Sequence, residues 1–329
     1  MLTQQRLLGL LADGQLHSGN ELAEELGISR AAVWKQVGQL EKLDLAVRAQ
    51  AGQGYQLADA IELLDKEIII RSLTAGICDD PDQIEVLWVT ESTSDHLLRQ
   101  GRVAPGKPKV CIAEYQSGGR GRRGRQWFSP AGHGLCLSVA WCFPNLPASF
   151  SCLGLAVGVG VLRALRASGA LEAELKWPND VVVAGKKLAG ILIDIQGEAG
   201  GPLQVVAGVG VNYLLDAPTK SAIESAGGLM AASLTEADPD RSPSRNTVAA
   251  RLITEIVGVL RQFEQSGFTL LAQEWLDADY LCGRRVVALT DSKEIFGVAR
   301  GISDDGQLLL DVNGEVQRLV TGDVSVRAE

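Results

Sequence analysis

The sequence predicts an α+β protein in three parts: a winged helix-turn-helix over residues 1–65, a central α/β domain with a mixed or antiparallel sheet over 66–280, and a small β-barrel over 281–329. Three observations predict it. The first part carries helix caps followed by a glycine-centred hairpin. The middle holds strand-like runs that do not alternate regularly with helices, which argues against a doubly wound sheet. The last part is a series of short strands joined by Asp305-Gly306 and Asn313-Gly314, dipeptides that favour tight hairpins.

In the first part, Leu7, Leu8, Leu10 and Leu11 give one helix an apolar face. Ser18 with Glu21 forms a capping box for a second helix, with Leu22, Ala23 and Leu26 inside and Gly27 placed to end it. Ser29 caps a third helix whose Val33, Val37 and Leu40 share one buried face. Segments 47–49 and 55–57 flank Gly52-Gln53-Gly54 as a wing. Ser29, Arg30, Ala31, Trp34 and Lys35 mark the DNA-facing side of the third helix, which carries no acid before Glu41 and suits a major groove. The whole segment is nevertheless acidic, with five basic and nine acidic side chains, and a helical protein-binding module has the same outline.

In the middle, strands are expected over 84–89, 110–115, 135–141, 181–183, 188–195 and 205–211, with Ala184-Gly185 as a hairpin turn, and helices over 150–166 and 247–265. Residues 135–162 contain no charge. Pro144, Asn145 and Pro147 divide that stretch into pieces shorter than the roughly 20 residues of a membrane span, so it reads as buried strand, turn and buried helix. Residues 237–244, with Pro239 and Pro243, read as a surface loop. The terminal strands are 286–290, 295–302, 308–312 and 316–319.

Hydrophobic residues make up 46% of the chain, enough for a substantial core, and the net charge is −9. That balance argues against a surface that coats nucleic acid, though not against one small DNA-reading module. The six cysteines form no Cys-x-x-Cys pair and the three histidines lie far apart in sequence, which argues against structural zinc and for reduced thiols in a cytoplasmic protein. The N-terminus, with Arg6 and Asp13 around a short leucine run, lacks the apolar core of a signal peptide.

The chemistry concentrates in Gly118-Gly119-Arg120-Gly121-Arg122-Arg123-Gly124-Arg125. Its guanidinium groups repel one another and call for an anion, and its glycines let backbone approach a ligand. Three familiar readings fail on context. The dinucleotide fingerprint needs a helix next, but Gln126-Trp127-Phe128-Ser129-Pro130 follows. A P-loop needs Lys-Ser/Thr where Arg125-Gln126 stands. A disordered RGG segment does not fit one copy held between a strand and Trp127-Phe128.

Four further constellations join it. Lys176-Trp177-Pro178-Asn179-Asp180 lies between strands and offers a cation, an amide and a carboxylate; taken alone it also reads as an Asx-stabilised turn. Gly185-Lys186-Lys187 leads into Leu188-Ala189-Gly190-Ile191-Leu192, so Lys187 either points into a site or sits solvated on a hairpin. Glu91-Ser92-Thr93-Ser94-Asp95 and Gln116 stand at neighbouring strand ends, where hydroxyls and an amide suit a neutral, hydrogen-bonding ligand head.

Together, Glu114-Tyr115-Gln116, the arginine loop with Trp127, Lys-Trp-Pro-Asn-Asp and Lys-Leu-Ala-Gly-Ile-Leu resemble the biotin protein ligases, in order and over nearly the whole chain. The N-terminal Ser-Arg-Ala-Ala-Val-Trp-Lys helix resembles the bifunctional members, which also repress the biotin operon, and Lys293-Glu294-Ile295-Phe296-Gly297 resembles their SH3-like C-terminal barrel. The resemblance implies biotin and ATP as substrates with Mg²⁺. It implies a ring-binding set of Ser92, Thr93, Ser94 and Gln116, and a loop in which Arg120, Gly121 and Arg122 fold over the acid and adenylate. Lys187 is implied at the carboxylate and phosphate end; Arg125, Trp127, Lys176, Asn179 and Asn212 around the nucleotide; and Asp180 beside the metal or the incoming lysine. Arg122, Lys187, Lys176 and Asp180 are the expected catalytic group. Ser94 stands where the family pattern has asparagine, and the segment from Asn212 through Gly228-Leu229 lacks the tryptophan expected against adenine. The implied partners are a biotin carboxyl carrier protein, operator DNA and a second copy of the chain once the adenylate is bound, with no membrane. A lipoate ligase and a ligand-sensing regulator without turnover are the competing functions.

Overall fold

The computed structural model describes residues 3–147, 149–197, 201–226, 230–238, 243–290, 293–320 and 325–328. Gly228-Leu229 and Pro239 of the sequence reading lie outside the described residues.

Helices α1 (Thr3–Leu11), α2 (Gly19–Leu26) and α3 (Arg30–Leu40) are followed by the hairpin β1 (Val47–Gln50) and β2 (Gly54–Leu57). Each boundary has its expected chemical cause. Ser18 and Glu21 form a reciprocal capping box, Gly27 closes α2 at φ 65°, and the Ser29 hydroxyl accepts from Ala32 N–H to start α3. Leu7, Leu8, Leu11, Leu22, Val33 and Leu40 bury together as the small core. Gly54 is obligatory: a Cβ there would meet the His17 carbonyl, which pairs the wing to the α1–α2 connection.

The chain then runs through α4 (Lys66–Ser72), β3 (Ile84–Thr90), α5 (Thr93–Arg99), β4 (Lys109–Gln116), β5 (Gly134–Phe143) and α6 (Leu153–Arg166). Strands β6 (Glu174–Lys176), β7 (Asp180–Val183), β8 (Lys186–Gln196) and β9 (Leu203–Asn212) follow, then α7 (Ala217–Ser225), α8 (Leu234–Ala237), α9 (Arg245–Ser266) and α10 (Thr269–Asp277). The sheet order is β3-β4-β5-β9-β8-β7-β6; β3 and β4 are parallel and the remaining neighbours antiparallel. The expected mixed sheet is therefore present. Helices α6 and α9 pack together against one face, and α5 lies against β4, β5 and β9. The uncharged stretch is β5, a turn and α6, both elements buried, and no helix among the described residues is long and apolar enough to cross a membrane.

Three local expectations are corrected. Residues 92–95 do not simply end a strand: Ser92 accepts from Asp95 N–H and caps α5, so Thr93 and Ser94 lie in a first helical turn. Residues 174–176 form the short strand β6 rather than plain connection. The C-terminal segment has five strands, β10 (Arg285–Leu289), β11 (Glu294–Ile302), β12 (Leu308–Val312), β13 (Glu315–Leu319) and β14 (Ser325–Ala328), in the antiparallel order β13-β12-β11-β10-β14. The fifth strand was not expected. Among the described residues, β13 and β14 are the two ends of this pairing order, and no ladder between them is seen.

The parts are tied by buried polar contacts. Arg245, fully buried at the start of α9, donates to Glu114 Oε1 (2.6 Å) and to the carbonyls of Glu62 (2.8 Å) and Gly134 (2.9 Å). Glu114 also accepts from Leu64 N–H (2.8 Å) and Gly132 N–H (2.9 Å), so a paired charge clamps the segment between hairpin and α4 onto β4. At the other end, Trp177 donates its indole N–H to Gly306 O (3.0 Å) in the β11–β12 turn.

Candidate functional site

One cavity of about 520 Å³ opens on the sheet, within the usual range for a small-molecule site. Every residue expected in the central domain's site lines it: Ser92, Thr93, Ser94, Gln116, Arg120, Gly121, Arg122, Arg125, Trp127, Lys176, Asn179, Asp180, Lys187 and Asn212.

Its neutral end is built by α5, β4 and β5. Gln116 Oε1 accepts from Thr93 N–H (2.7 Å) and Thr93 Oγ1 (3.0 Å). Ser138 of β5 lies 2.7 Å from Thr93 Oγ1 and 3.0 Å from Ser94 Oγ. Ser138 was missed in the sequence; its only signal is a hydroxyl in an otherwise apolar strand. All four hydroxyl residues from Ser92 to Ser94 and Ser138 are buried, so this end can hold a polar ligand only by directional hydrogen bonds.

The floor is glycine. A Cβ on Gly208 would stand 2.7 Å from Ser94 Oγ, and one on Gly210 would stand 2.4 Å from the Trp127 ring. Trp127 packs closely over β8 and β9, where Gly190 and Gly210 carry no side chain to meet its ring. Its indole nitrogen is buried and makes no hydrogen bond among the described residues.

Above the floor the arginine loop is a compact hairpin. Gly121 N–H donates to Arg125 O (2.7 Å) and Trp127 N–H to Gly119 O (2.9 Å), while Arg123 adopts φ 58°. The demand for an anion is met partly from within: Arg120 Nη2 lies 2.5 Å from Asp95 Oδ1 and 3.6 Å from Asp194 Oδ2. Arg122 donates to Asn179 Oδ1 at 3.4 Å.

The charged end comes from β6 to β9. Lys176 is buried at the end of β6; desolvation pulls its ammonium below the usual lysine value, with Asp180 opposing and Lys187 and Arg327 reinforcing the shift. Asp180 opens β7, and its Oδ1 lies 2.5 Å from Lys187 Nζ, which also sits 5.6 Å from the Trp127 ring centre. Ala184 and Gly185, at φ 49° and 75°, make the tight β7–β8 turn that aims Lys187 inward. Asn179 and Asn212 donate their amides to the β8 carbonyls of Ile191 (2.7 Å) and Lys187 (3.1 Å), so both brace the strand that carries Lys187. Val326 and Arg327 reach the cavity from β14, a contribution with no motif to announce it. On α3, far along the chain, Ser29, Arg30, Ala31, Trp34 and Lys35 are all exposed, Trp34 to 70%.

The sequence pattern of the Biotin/lipoate A/B protein ligase family matches residues 86–212, an HTH domain pattern matches 3–56, and the Biotin protein ligase C terminal domain matches 281–327. The bifunctional ligase/repressor BirA of Escherichia coli is 38% identical, over 98% of this chain and 97% of that one. This chain belongs to the biotin protein ligase family. Among other ligases of that family, the biotin–[acetyl-CoA-carboxylase] ligase of Mycobacterium tuberculosis is 36% identical over 74% of this chain and 88% of its own length. The solved biotin protein ligase of Aquifex aeolicus, in complex with biotin and ATP, superposes with a TM-score of 0.62 at 25% identity, covering 75% of this chain and 99% of that one.

Proposed function

We propose that the chain joins biotin to the adenylyl group of ATP and passes the biotinyl group to a lysine of a biotin carboxyl carrier protein. The observation that carries this is a single cavity with a buried hydroxyl-and-amide cradle at one end and Lys176, Lys187, Arg122 and Asp180 at the other. A fused ureido ring suits the first end, and a carboxylate approaching a phosphate needs the second. A flexible lipoyl chain would leave the cradle's polar atoms unused.

The carboxylate is a poor acyl donor until its oxygen leaves as AMP. Its oxygen attacks the α-phosphorus, the bond to pyrophosphate breaks, and a mixed anhydride forms. Two anions meet in that step, and Lys176, Lys187 and Arg122 offset their repulsion. Among the described residues, Asp180 is the only carboxylate on the cavity wall, and no cluster of three or more His, Cys, Asp or Glu residues is present to hold a metal. That donor set fits Mg²⁺ arriving on the triphosphate, where Asp180 and Asn179 would complete a shell of phosphate oxygens and water. In the second step the acceptor amine attacks the acyl carbon, AMP leaves, and the amine's proton departs. Asp180 stands to orient that amine or take its proton. Arg125, Trp127 and Asn212 belong to the nucleotide side of this reading, and Ser92, Thr93, Ser94, Gln116, Arg120 and Gly121 to the biotin side.

The N-terminal segment is proposed to bind biotin operator DNA through α3, as a homodimer once the adenylate is present. The exposed Arg30, Trp34 and Lys35 and the similarity to the Escherichia coli bifunctional ligase/repressor support it. Three domains over 1–65, 66–280 and 281–329 and a cytoplasmic location with unpaired cysteines fit the same reading. The test is pyrophosphate release by the full chain with biotin and MgATP and no acceptor. A burst of one equivalent per site, followed by a slow phase, is expected; no burst with folded protein would overturn the reading.

A further inference from the structure

Of the chain's six tryptophans, five are buried or half-buried; Trp34 alone is exposed, at 70%. It belongs to none of the apolar clusters of the described residues, so it contributes to no core. It stands in the middle of the outer face of α3. Val33, Val37 and Leu40 bury the opposite face, while Arg30, Ala31, Trp34, Lys35 and Gly38 are all exposed, at the i, i+1, i+4, i+5, i+8 spacing of one side of a helix.

Two features of this face point to what covers it. Its charge has one sign: Arg30 and Lys35 flank the indole and α3 holds no acidic residue, although residues 1–65 as a whole are acidic. Gly38 sits one turn beyond Trp34, inside the helix, with nothing within 4 Å of the Cβ it lacks. Glycine weakens a helix interior relative to alanine, and packing among the described residues does not require it here. Ala31 and Gly38 on either side of a large protruding ring, with two cations beside it, suit a polyanion that approaches the helix closely and receives the ring.

This inference rests on the reading of α3 as the helix that enters a DNA major groove, and names what it reads there. Long side chains on a helix lean towards its N-terminus, the end that meets base edges in helix-turn-helix docking. The indole has one donor, no acceptor and a broad apolar surface. Arginine, lysine and glutamine read donors and acceptors, whereas the apolar feature of the major-groove edge is the thymine 5-methyl group. We propose that Trp34 is a specificity-determining residue that packs on a thymine 5-methyl group in each operator half-site, with Arg30 and Lys35 anchoring the duplex beside it. The contact excludes water from two apolar surfaces and adds no charge, so it supplies sequence preference without adding to salt dependence.

The experiment selects duplexes from a random library with the full chain, biotin and MgATP. The selected duplex is then synthesised with dU in place of dT, one position at a time, which removes the methyl group and leaves every hydrogen-bonding atom. Affinity is read by fluorescence anisotropy across a salt series for wild type, Trp34→Ala and Trp34→Phe. Wild type should lose about fourfold when the contacted thymine of one half-site becomes uracil, the worth of one buried methyl, and about 15-fold when both do. Trp34→Ala should bind the thymine and uracil duplexes within about twofold of each other, with the wild-type salt slope, because no phosphate contact is lost. Trp34→Phe, which keeps an apolar ring, should keep part of the discrimination. Trp34→Gln carries the same comparison if Trp34→Ala does not fold.

Uracil substitutions that are all silent in wild type, or a Trp34→Ala that discriminates as wild type does, would overturn the methyl contact. A lower salt slope in Trp34→Ala would place the indole N–H on a phosphate instead, and overturn it too. If folded wild type selects no duplex, the DNA-binding reading itself fails, and the exposed ring passes to a protein partner.

Discussion

Single side chains offer the means to separate the two proposed half-reactions. Arg122, on the cavity wall beside Asn179, is the loop cation that the proposed reaction sets against the nucleotide. Arg122→Ala should weaken retention of the acyl-adenylate by about 1.5–3 kcal/mol, the worth of a charged hydrogen bond, and hydroxylamine trapping should show the leak. A mutant that holds the intermediate as long as wild type contradicts that role. Asp180 contacts Lys187, and no other carboxylate among the described residues lines the cavity. Asp180→Asn should slow transfer to the acceptor more than adenylation when both steps are followed by rapid quench; equal slowing would assign the carboxylate to the metal instead. The motif residues were legible because the chemistry demands their types: arginines with glycines for phosphate, hydroxyls and an amide for a neutral ring. Ser138 and Arg327 were not, because nothing local marks them. Ser138 is recognisable only once β5 lies beside α5, and Arg327 only once β14 reaches across to Lys176. Arg120 was legible as a site residue, yet its carboxylate partners lie on α5 and β8, so its balance of charge was not.

At the scale of elements, α3 presents Arg30 and Lys35 to solvent while burying Val33, Val37 and Leu40. If α3 lies in a major groove, Arg30→Ala and Lys35→Ala should each weaken operator binding and lower the salt slope by about 1 per lost phosphate contact, leaving pyrophosphate release intact. An unchanged slope would assign α3 to protein binding. The long strands and α6 and α9 were legible because their apolar pattern continues over several turns or pleats. The short elements were not. Helix α5 has seven residues and begins in Ser92-Thr93-Ser94, whose hydroxyls say as much for a strand end as for a helix cap, and β6 has three residues. In the C-terminal segment, strand spacing announced four short antiparallel strands but not β14, which pairs with β10 across the segment.

At the scale of the molecule, two junctions hold buried carboxylates of opposite character. Glu114 is matched by Arg245 and four further backbone contacts around the pair, so its charge belongs to the fold. Asp279, where the central domain meets the C-terminal strands, has no cation partner among the described residues; it accepts from Leu281 N–H (2.9 Å), and burial pushes its carboxyl up to about 6 from 3.8. A carboxyl whose folded value is raised costs stability wherever it must be ionised. The penalty is therefore full above about pH 6 and lifts as pH falls towards 3.8. Asp279→Asn, which keeps an acceptor for Leu281, should stabilise the protein by about 1–3 kcal/mol in urea unfolding near neutral pH, with the gain vanishing near about pH 4. A gain that does not change with pH would contradict this. These junctions were not legible, since each joins residues far apart in the chain.

The most direct test of the account is incorporation of labelled biotin into a biotin carboxyl carrier domain by the full chain, with and without MgATP. The account predicts label on one lysine, dependent on ATP. No label, with folded protein and lipoate equally inert, would contradict it and leave the cavity as the sensor of a regulator that binds its ligand without turnover.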